Sequence, residues 1–239
     1  MKTILMKFAG PMQSWGTDSH FENRHTDFYP SKSAVIGMIG AALGIRRDDD
    51  IKELENIKFA TRIDQEGSLL KDYHIARKYK PTGDFDRNYV TERYYLEDAI
   101  FVVAVSHEDD NLIERIYEAL KRPYFQLFLG KRSIPVLADF ILDKFDSDIK
   151  RALEKCEWQA KDYYKKRYKQ SQKALDIYCD KGIFDNADRE ILRQDKVISF
   201  SKKNRQFSFR YEEHTKIYVE NNMFESEDTE HNIFDLVGE

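Results

Sequence analysis

The sequence predicts an α+β fold built on an antiparallel sheet, and three observations point to it. Strand-like apolar runs alternate with runs of helical period over the first 145 residues. Two of the strand-like runs follow one another with no helical pattern between them, so they pair as neighbours. The stretch separating those two is charged and aromatic with a turn signal at its centre, which reads as a long hairpin.

Residues 3–9 form the first strand, stopped by Gly10-Pro11 because proline brings no N–H to a ladder. Residues 11–30 make a long polar and aromatic loop, the kind that carries function in a compact domain. A serine then caps a helix over residues 34–44, with Gly44 at its end. Gly37, Gly40 and Gly44, at spacings of three and four, let that helix approach the sheet closely. Residues 57–64 and 96–106 are the paired strands, and Pro81-Thr82-Gly83-Asp84 turns the hairpin between them. Over residues 109–121, Leu112, Ile113, Ile116, Tyr117 and Leu120 share a helical face that Pro123 ends; residues 125–129 and 136–145 resume strand character. Strand, helix, strand, strand, helix, strand is the ferredoxin-like split βαβ order. A charged aromatic stretch, residues 149–173, opens a smaller β-containing region over 146–219, with short strands at 174–179, 197–200, 207–211 and 216–219. Residues 220–239 hold seven acidic side chains and no Lys or Arg, a flexible solvated tail.

Lys plus Arg total 39 against 43 for Asp plus Glu, so a nucleic-acid site has to be a local patch and not a global excess of charge. No apolar run approaches the roughly 20 residues of a membrane helix, and Lys7 interrupts the N-terminal run before it could form a signal core. The expectation is a cytoplasmic protein with no membrane contact. Cys156 and Cys179 lack CxxC partners, which predicts reduced thiols and calls for no metal and no other cofactor.

Neither a Walker loop nor GxGxxG is present, so the glycine helix is no nucleotide loop. Its N-terminus, Ser31-Lys32-Ser33, is either an ordinary capped end or a phosphate site that offers N–H groups, hydroxyls and a cation. In residues 65–95, Lys71, Arg77, Lys78, Lys80, Arg87 and Arg93 interleave with Tyr73, His74, Tyr79, Phe85, Tyr89, Tyr94 and Tyr95. Cations beside aromatic faces suit a single-stranded nucleic acid, although a solvated hairpin has the same composition. Lys131-Arg132-Ser133 is a basic turn with the same two readings, and the cations of residues 149–173 read as a solvated face. No histidine sits in a metal or nucleophile motif; metal-free RNA cleavage would need only a base, an acid and a cation, for which His25 or His74 stands as candidate.

Several blocks recur together: Gly10-Pro11-Met12-Gln13-Ser14-Trp15-Gly16, Arg24-His25-Thr26, Pro30-Ser31-Lys32-Ser33, Ala42-Leu43-Gly44-Ile45-Arg46-Arg47-Asp48-Asp49, Arg62-Ile63-Asp64 and Asp72-Tyr73-His74. Residues 91–99 (TERYYLEDA) and 127–133 (LFLGKRS) complete the series. In this order, over about 140 residues, they resemble the Cas-five family of the RAMP superfamily, subunits of the type I-E CRISPR complex Cascade. The resemblance implies an RRM-like RAMP domain over residues 1–145 with a thumb at about 65–95. It implies a protein that binds RNA without cutting it, seated at the 5′ handle of the crRNA where it caps the backbone filament. The implied partners are the crRNA, the backbone subunit CasC, the large subunit CasA, the other Cascade subunits, and target DNA through the complex. One continuous RNA surface is then expected from Gln13, Trp15, Arg24, Ser31, Lys32, Ser33, Arg46, Arg47, Tyr73, His74, Arg93, Lys131, Arg132 and Ser133. Arg77, Lys78, Tyr79, Lys80 and Arg87 are expected on the thumb, and Lys202 and Lys203 outside the surface. Beyond residue 140 the resemblance thins to the basic-aromatic segment at residues 205–211 (RQFSFRY), and residues 159–173 and the acidic tail depart from the family pattern. A branch in type I-C systems processes repeat RNA itself, so the alternative is a metal-independent endoribonuclease acting on CRISPR repeats.

Overall fold

The computed structural model describes residues 1–16 and 23–224. In chain order its strands and helices are β1 (Lys2–Ala9), β2 (Met12–Gln13), β3 (Asn23–Arg24), α1 (Lys32–Leu43), β4 (Lys58–Gln65), β5 (Ser68–Tyr79), β6 (Phe85–Glu97), β7 (Ile100–His107) and α2 (Asp110–Lys121). There follow β8 (Ile141–Phe145), α3 (Ile149–Lys155), α4 (Asp162–Arg167), β9 (Gln172–Asp180), β10 (Arg189–Ser199) and β11 (Gln206–Glu220). The fold is mixed α+β, and the large sheet runs β10-β11-β9-β4-β7-β1-β8 with every pairing antiparallel.

β7 shows why this sheet lies at the centre. Its sequence IFVVAVSH is apolar on both faces, and alternate side chains enter two different cores. Phe101, Val103 and Val105 join Ile4, Met6 and Phe8 of β1 beneath α1 and α2, while Val102 and Ala104 join Leu5, Leu153 and Trp158 on the α3 side. Ser31 caps α1 by accepting from Ala34 N, and Gly44 ends it in the left-handed region at φ 82°. Tyr124 N and Phe125 N then donate to the last-turn carbonyls of Ala42 and Ala41, at 2.9 and 3.1 Å.

Several expectations need correction. The run 96–106 is two strands in two sheets, because Asp98 at φ 59° breaks it between β6 and β7. Residues 125–129 form no strand and make only the bridge Phe128–Pro135, while the last strand of the first 145 residues is confined to Ile141–Phe145. The strands beyond residue 146 do not stand apart: β9 pairs with β4 and continues the same sheet, and the runs at 207–211 and 216–219 are one 15-residue strand. The glycines of α1 do not meet the sheet: a Cβ at Gly37 would lie 3.3 Å from the Phe200 ring, and one at the buried Gly40 would lie 3.8 Å from Ile45 and 3.9 Å from Leu54. Cys156 and Cys179 are buried free thiols, Cys179 pushed up to about 12 by burial. The tail expected over 220–239 falls mainly on residues 225–239, outside the described residues.

A charged network ties the chain's two halves together at the N-terminus of α1. Lys32 pairs with Asp180 at 2.8 Å, and its backbone N donates to Asp195. Arg210 reaches Asp195, Asp180 and Glu212, and Arg193 reaches Asp27, Asp195 and Glu212. Tyr29 donates to Glu212 and stacks on Tyr178 with centroids 3.9 Å apart. Burial works against the Arg210 charge, yet the surrounding carboxylates raise its pKa above the ordinary value, so the group stays charged.

Candidate nucleic-acid interface

Three segments enclose a cleft of about 730 Å³ on the outer face of α1. One wall is the helix itself, where Ser33, Gly37, Gly40 and Ala41 present little more than backbone. Residues 125–132 make the second wall, and residues 200–205, following β10, make the third. Gly130, at φ 88°, brings the second wall against residues 14–16: a Cβ there would sit 2.2 Å from the Ser14 carbonyl oxygen, so only glycine permits the approach. Ser14 N also donates to Leu129 O at 3.2 Å.

Five cations line this cleft: Arg46, Arg47, Arg132, Lys202 and Arg205. Among the described residues none of them forms an ion pair with a carboxylate, whereas Lys32, Arg62, Arg193 and Arg210 are all paired. Burial lowers the Arg205 pKa from its ordinary value, and the neighbouring Arg47 charge lowers it further. Phe125, Phe128 and Phe200 stand among these charges. Uncompensated cations beside aromatic rings, over a helix face stripped of side chains, match the needs of a polyanion carrying flat bases.

The hairpin β5–β6 is the second feature, and its register sorts the side chains. Directly opposed residues share a face, so Tyr73, Ile75 and Tyr79 lie with Val90 and Phe85, each about half exposed. The other face carries His74, Lys78, Arg87 and Arg93. Lys78 and Arg87 both approach Asp86, at 3.2 and 3.5 Å, and Tyr79 meets Phe85 edge to face. Arg77 and Lys80 are exposed near the tip.

The structure divides the predicted surface into three groups. Ser33, Arg46, Arg47 and Arg132 meet in the cleft, with Lys131 and Ser133 on the adjoining turn, Lys131 Nζ lying 5.4 Å from the Tyr95 ring centroid. Tyr73, His74, Arg93, Arg77, Lys78, Tyr79, Lys80 and Arg87 lie on the hairpin, and Arg24 sits beside it, since β3 pairs with β6 in parallel. Gln13, Ser31 and Lys32 are corrections, whereas Trp15 lines the cleft while packing into the core. Gln13 is fully buried and donates to Phe8 O and Ala99 O, while Trp15, 2% exposed, stacks on Phe8. Ser31 caps α1, and Lys32 is committed to Asp180. Sequence reasoning notes Arg205 only in a basic-aromatic segment and leaves it, with Lys202, outside the surface, because only the return of β10 along α1 brings residues 200–205 to the cleft. His25 stacks on Tyr94 and His74 Nδ1 lies 3.5 Å from Thr91 Oγ1; neither lines the cleft.

Among the described residues no helix is long and apolar enough to cross a membrane, and no group of three or more His, Cys, Asp or Glu is arranged to hold a metal. Fold and site define an α+β protein with a cation-lined cleft and a projecting hairpin. The family described as CRISPR-associated protein (Cas_Cas5) matches residues 3–211, and the chain belongs to that family. It is 32% identical over 167 residues to the CRISPR system Cascade subunit CasD of Escherichia coli (strain K12), covering 63% of this chain and 75% of the relative. Among solved structures it is similar to a chain of a CRISPR RNA-guided surveillance complex, with TM-score 0.76 and 28% identity over 97% of this chain and 96% of the other. A crystal structure of a Cas protein is similar at TM-score 0.62 and 28% identity, over 93% and 97%.

Proposed function

We propose that this chain is the non-catalytic RNA-binding subunit of a type I-E CRISPR surveillance complex, that it grips the 5′ handle of the crRNA in the cleft, and that it caps the backbone filament. The observation that carries the reading is the set of five cations around one aromatic-lined cleft, none of them ion-paired to a carboxylate among the described residues. A hooked single strand supplies both the phosphates that such cations lack and the bases that Phe125, Phe128 and Phe200 can stack. The similarity to a Cascade subunit and to a chain of an RNA-guided complex supports the same assignment.

In this reading β1, α1, β4, β7, α2 and β8 are the ferredoxin-like core of a RAMP domain, residues 1–145, and the hairpin at about 65–95 is its thumb. Residues 146–219 extend that core by three strands. The thumb turns its cationic face toward RNA and its half-exposed apolar face toward a neighbouring protein subunit, which the family likeness makes the backbone subunit CasC. The large subunit CasA and the other subunits bind elsewhere on the assembly, target DNA is engaged through the complex, and the protein acts in the cytoplasm.

Labelled repeat–spacer RNA incubated in EDTA with the protein and its co-expressed partner subunits tests the proposal on native and denaturing gels. Intact RNA retained in the complex is expected, with retention weakened by Arg132→Glu combined with Arg205→Glu. Lys155→Glu, on α3 across the sheet, should not weaken it. Equal effects of the two changes would remove the cleft as the site, and a discrete cut by the protein alone would overturn the non-catalytic assignment.

A further inference from the structure

The hairpin leaves the sheet at two joints, Glu66-Gly67 after β4 and Asp98-Ala99 before β7, and one segment of chain touches both. That segment is the stretch around residues 157–164, which no sequence reading assigns a purpose. Its residues run past the end of β4 and bond to Arg62, Asp64 and Gln65. Arg62 donates to the carbonyls of Leu153, Cys156 and Glu157; Trp158 Nε1 donates to Asp64 O at 2.7 Å; and Gln159 N donates to Asp64 Oδ2 at 2.6 Å. Gln65, 1% exposed, then spans the two joints: its Oε1 accepts from Lys161 N at 3.1 Å, and its Nε2 donates to Asp98 O at 2.7 Å and Asp98 Oδ2 at 3.0 Å.

Asp98 is where these contacts converge. It is the one non-glycine residue at positive φ among the described residues, and Asp tolerates that region better than most side chains. Its carboxylate receives the Tyr163 hydroxyl and the Lys161 ammonium as well as Gln65. Burial raises the carboxyl's pKa, but the Lys161 and Tyr163 hydrogen bonds outweigh it and hold the group below its ordinary value. At the other joint Gly67 is packed so closely that a Cβ would meet Glu97 O at 2.6 Å and the Ala99 Cβ at 2.8 Å.

We infer that residues 157–164 are a brace that fixes the direction of the hairpin relative to the sheet, with Asp98 as its latch and Lys161 and Tyr163 as the positioning residues that hold it. The base of the ribbon is held by β2 and β3, which pair with β6, and by Asp98 N donating to Pro11 O, while among the described residues β5 has no partner but β6 in that small sheet. Bonds from residues 157–164 to Asp64 and Gln65 at the end of β4, and to Asp98 before β7, add a hold beside both joints and present the hairpin's two faces in one orientation. The inference concerns the free chain and stands apart from the RNA-binding proposal.

The test is a distance distribution between spin labels at Thr82→Cys on the hairpin tip and Glu118→Cys on α2, both exposed. Cys156 and Cys179 are buried and should stay unlabelled in the folded protein, which mass spectrometry checks. A narrow distribution is expected for the parent. Asp98→Gly, which keeps the backbone conformation and deletes the latch, should widen it by at least about twofold, as should Lys161→Gln combined with Tyr163→Phe. Asp98→Asn, which keeps the shape and accepts from Tyr163 but turns an amide donor toward the Lys161 ammonium, should give a width between those of the parent and Asp98→Gly. Unchanged width in the double variant would overturn the inference, and so would widening confined to Asp98→Gly, because glycine's own freedom would then explain it. Circular dichroism melts keep the result independent of unfolding: the double variant is expected to retain the parent's transition.

Discussion

Arg205 and Arg47 lie near enough in the cleft for the second charge to depress the pKa of the first, beyond what burial does alone. Like charges held together with no carboxylate ion pair among the described residues are an unfavourable arrangement in the free protein, and a bound polyanion would relieve it.

Removing one of the two should therefore separate binding from stability. Arg205→Gln is expected to weaken binding of single-stranded RNA and to lower the slope of log affinity against log salt by about 0.7, the counterion share of one phosphate contact on a single strand. The same variant should melt no lower than the parent, because a repulsion has been removed. Titrations at three or more salt concentrations, paired with a thermal melt, measure both quantities; an unchanged salt slope would take Arg205 out of the contact set.

Trp15 should behave in the opposite way. With 2% exposure and its ring stacked on Phe8 at 5.3 Å, it packs into the core where that core forms part of the cleft lining. Trp15→Ala is expected to cost about 3–5 kcal/mol of stability. Denaturant unfolding monitored by circular dichroism checks this, and a loss under 1 kcal/mol, roughly the level of a surface change, would contradict the packing described.

How much of this was legible in the sequence depends on the reach of each interaction. The hairpin, both long helices and the strands β1, β4 and β7 declare themselves through local period and turn chemistry, which is where sequence patterns are informative. Gln13 and Trp15 look like an accessible polar-aromatic loop because nothing local shows that Phe8 O and Ala99 O will claim the Gln13 amide. Lys32 looks like a free phosphate ligand because Asp180, its partner, is 148 residues away. Lys202 and Arg205 fall outside the expected surface for the same reason: the β10–β11 turn comes to α1 only through the order β4-β9-β11-β10 across the sheet. Even the break at Asp98 is hidden inside a continuous β-forming run, since a single residue at positive φ leaves no periodic trace.

The network at the N-terminus of α1 predicts a cost for breaking a buried charge set. Asp195, completely buried, accepts from Arg210 Nε at 2.6 Å and from Lys32 N at 2.9 Å. Asp195→Asn leaves Arg210 and Arg193 short of a counter-charge and should destabilise by about 3–5 kcal/mol. Chemical denaturation is the check, and a neutral result would mean that Asp180 and Glu212 alone suffice for the two arginines.

Acid should reveal a different charged contact, on the far side of α2. Hydrogen bonds from Lys144 and Lys2 hold the Glu114 carboxyl at about 2, against an ordinary value of 4.5. A folded-state pKa below the unfolded one means that the unfolded chain takes up the proton first, so stability falls as pH falls. The contribution of Glu114 is whole above pH 4.5, declines below it, and is gone once pH has passed about 2. Glu114→Gln, which cannot titrate, should therefore flatten the acid limb of the stability curve within that window while leaving its shape near neutrality unaltered. Melts taken at half-unit steps from pH 2 to 6 measure the slope, and parallel acid limbs for parent and variant would show that other carboxylates set it.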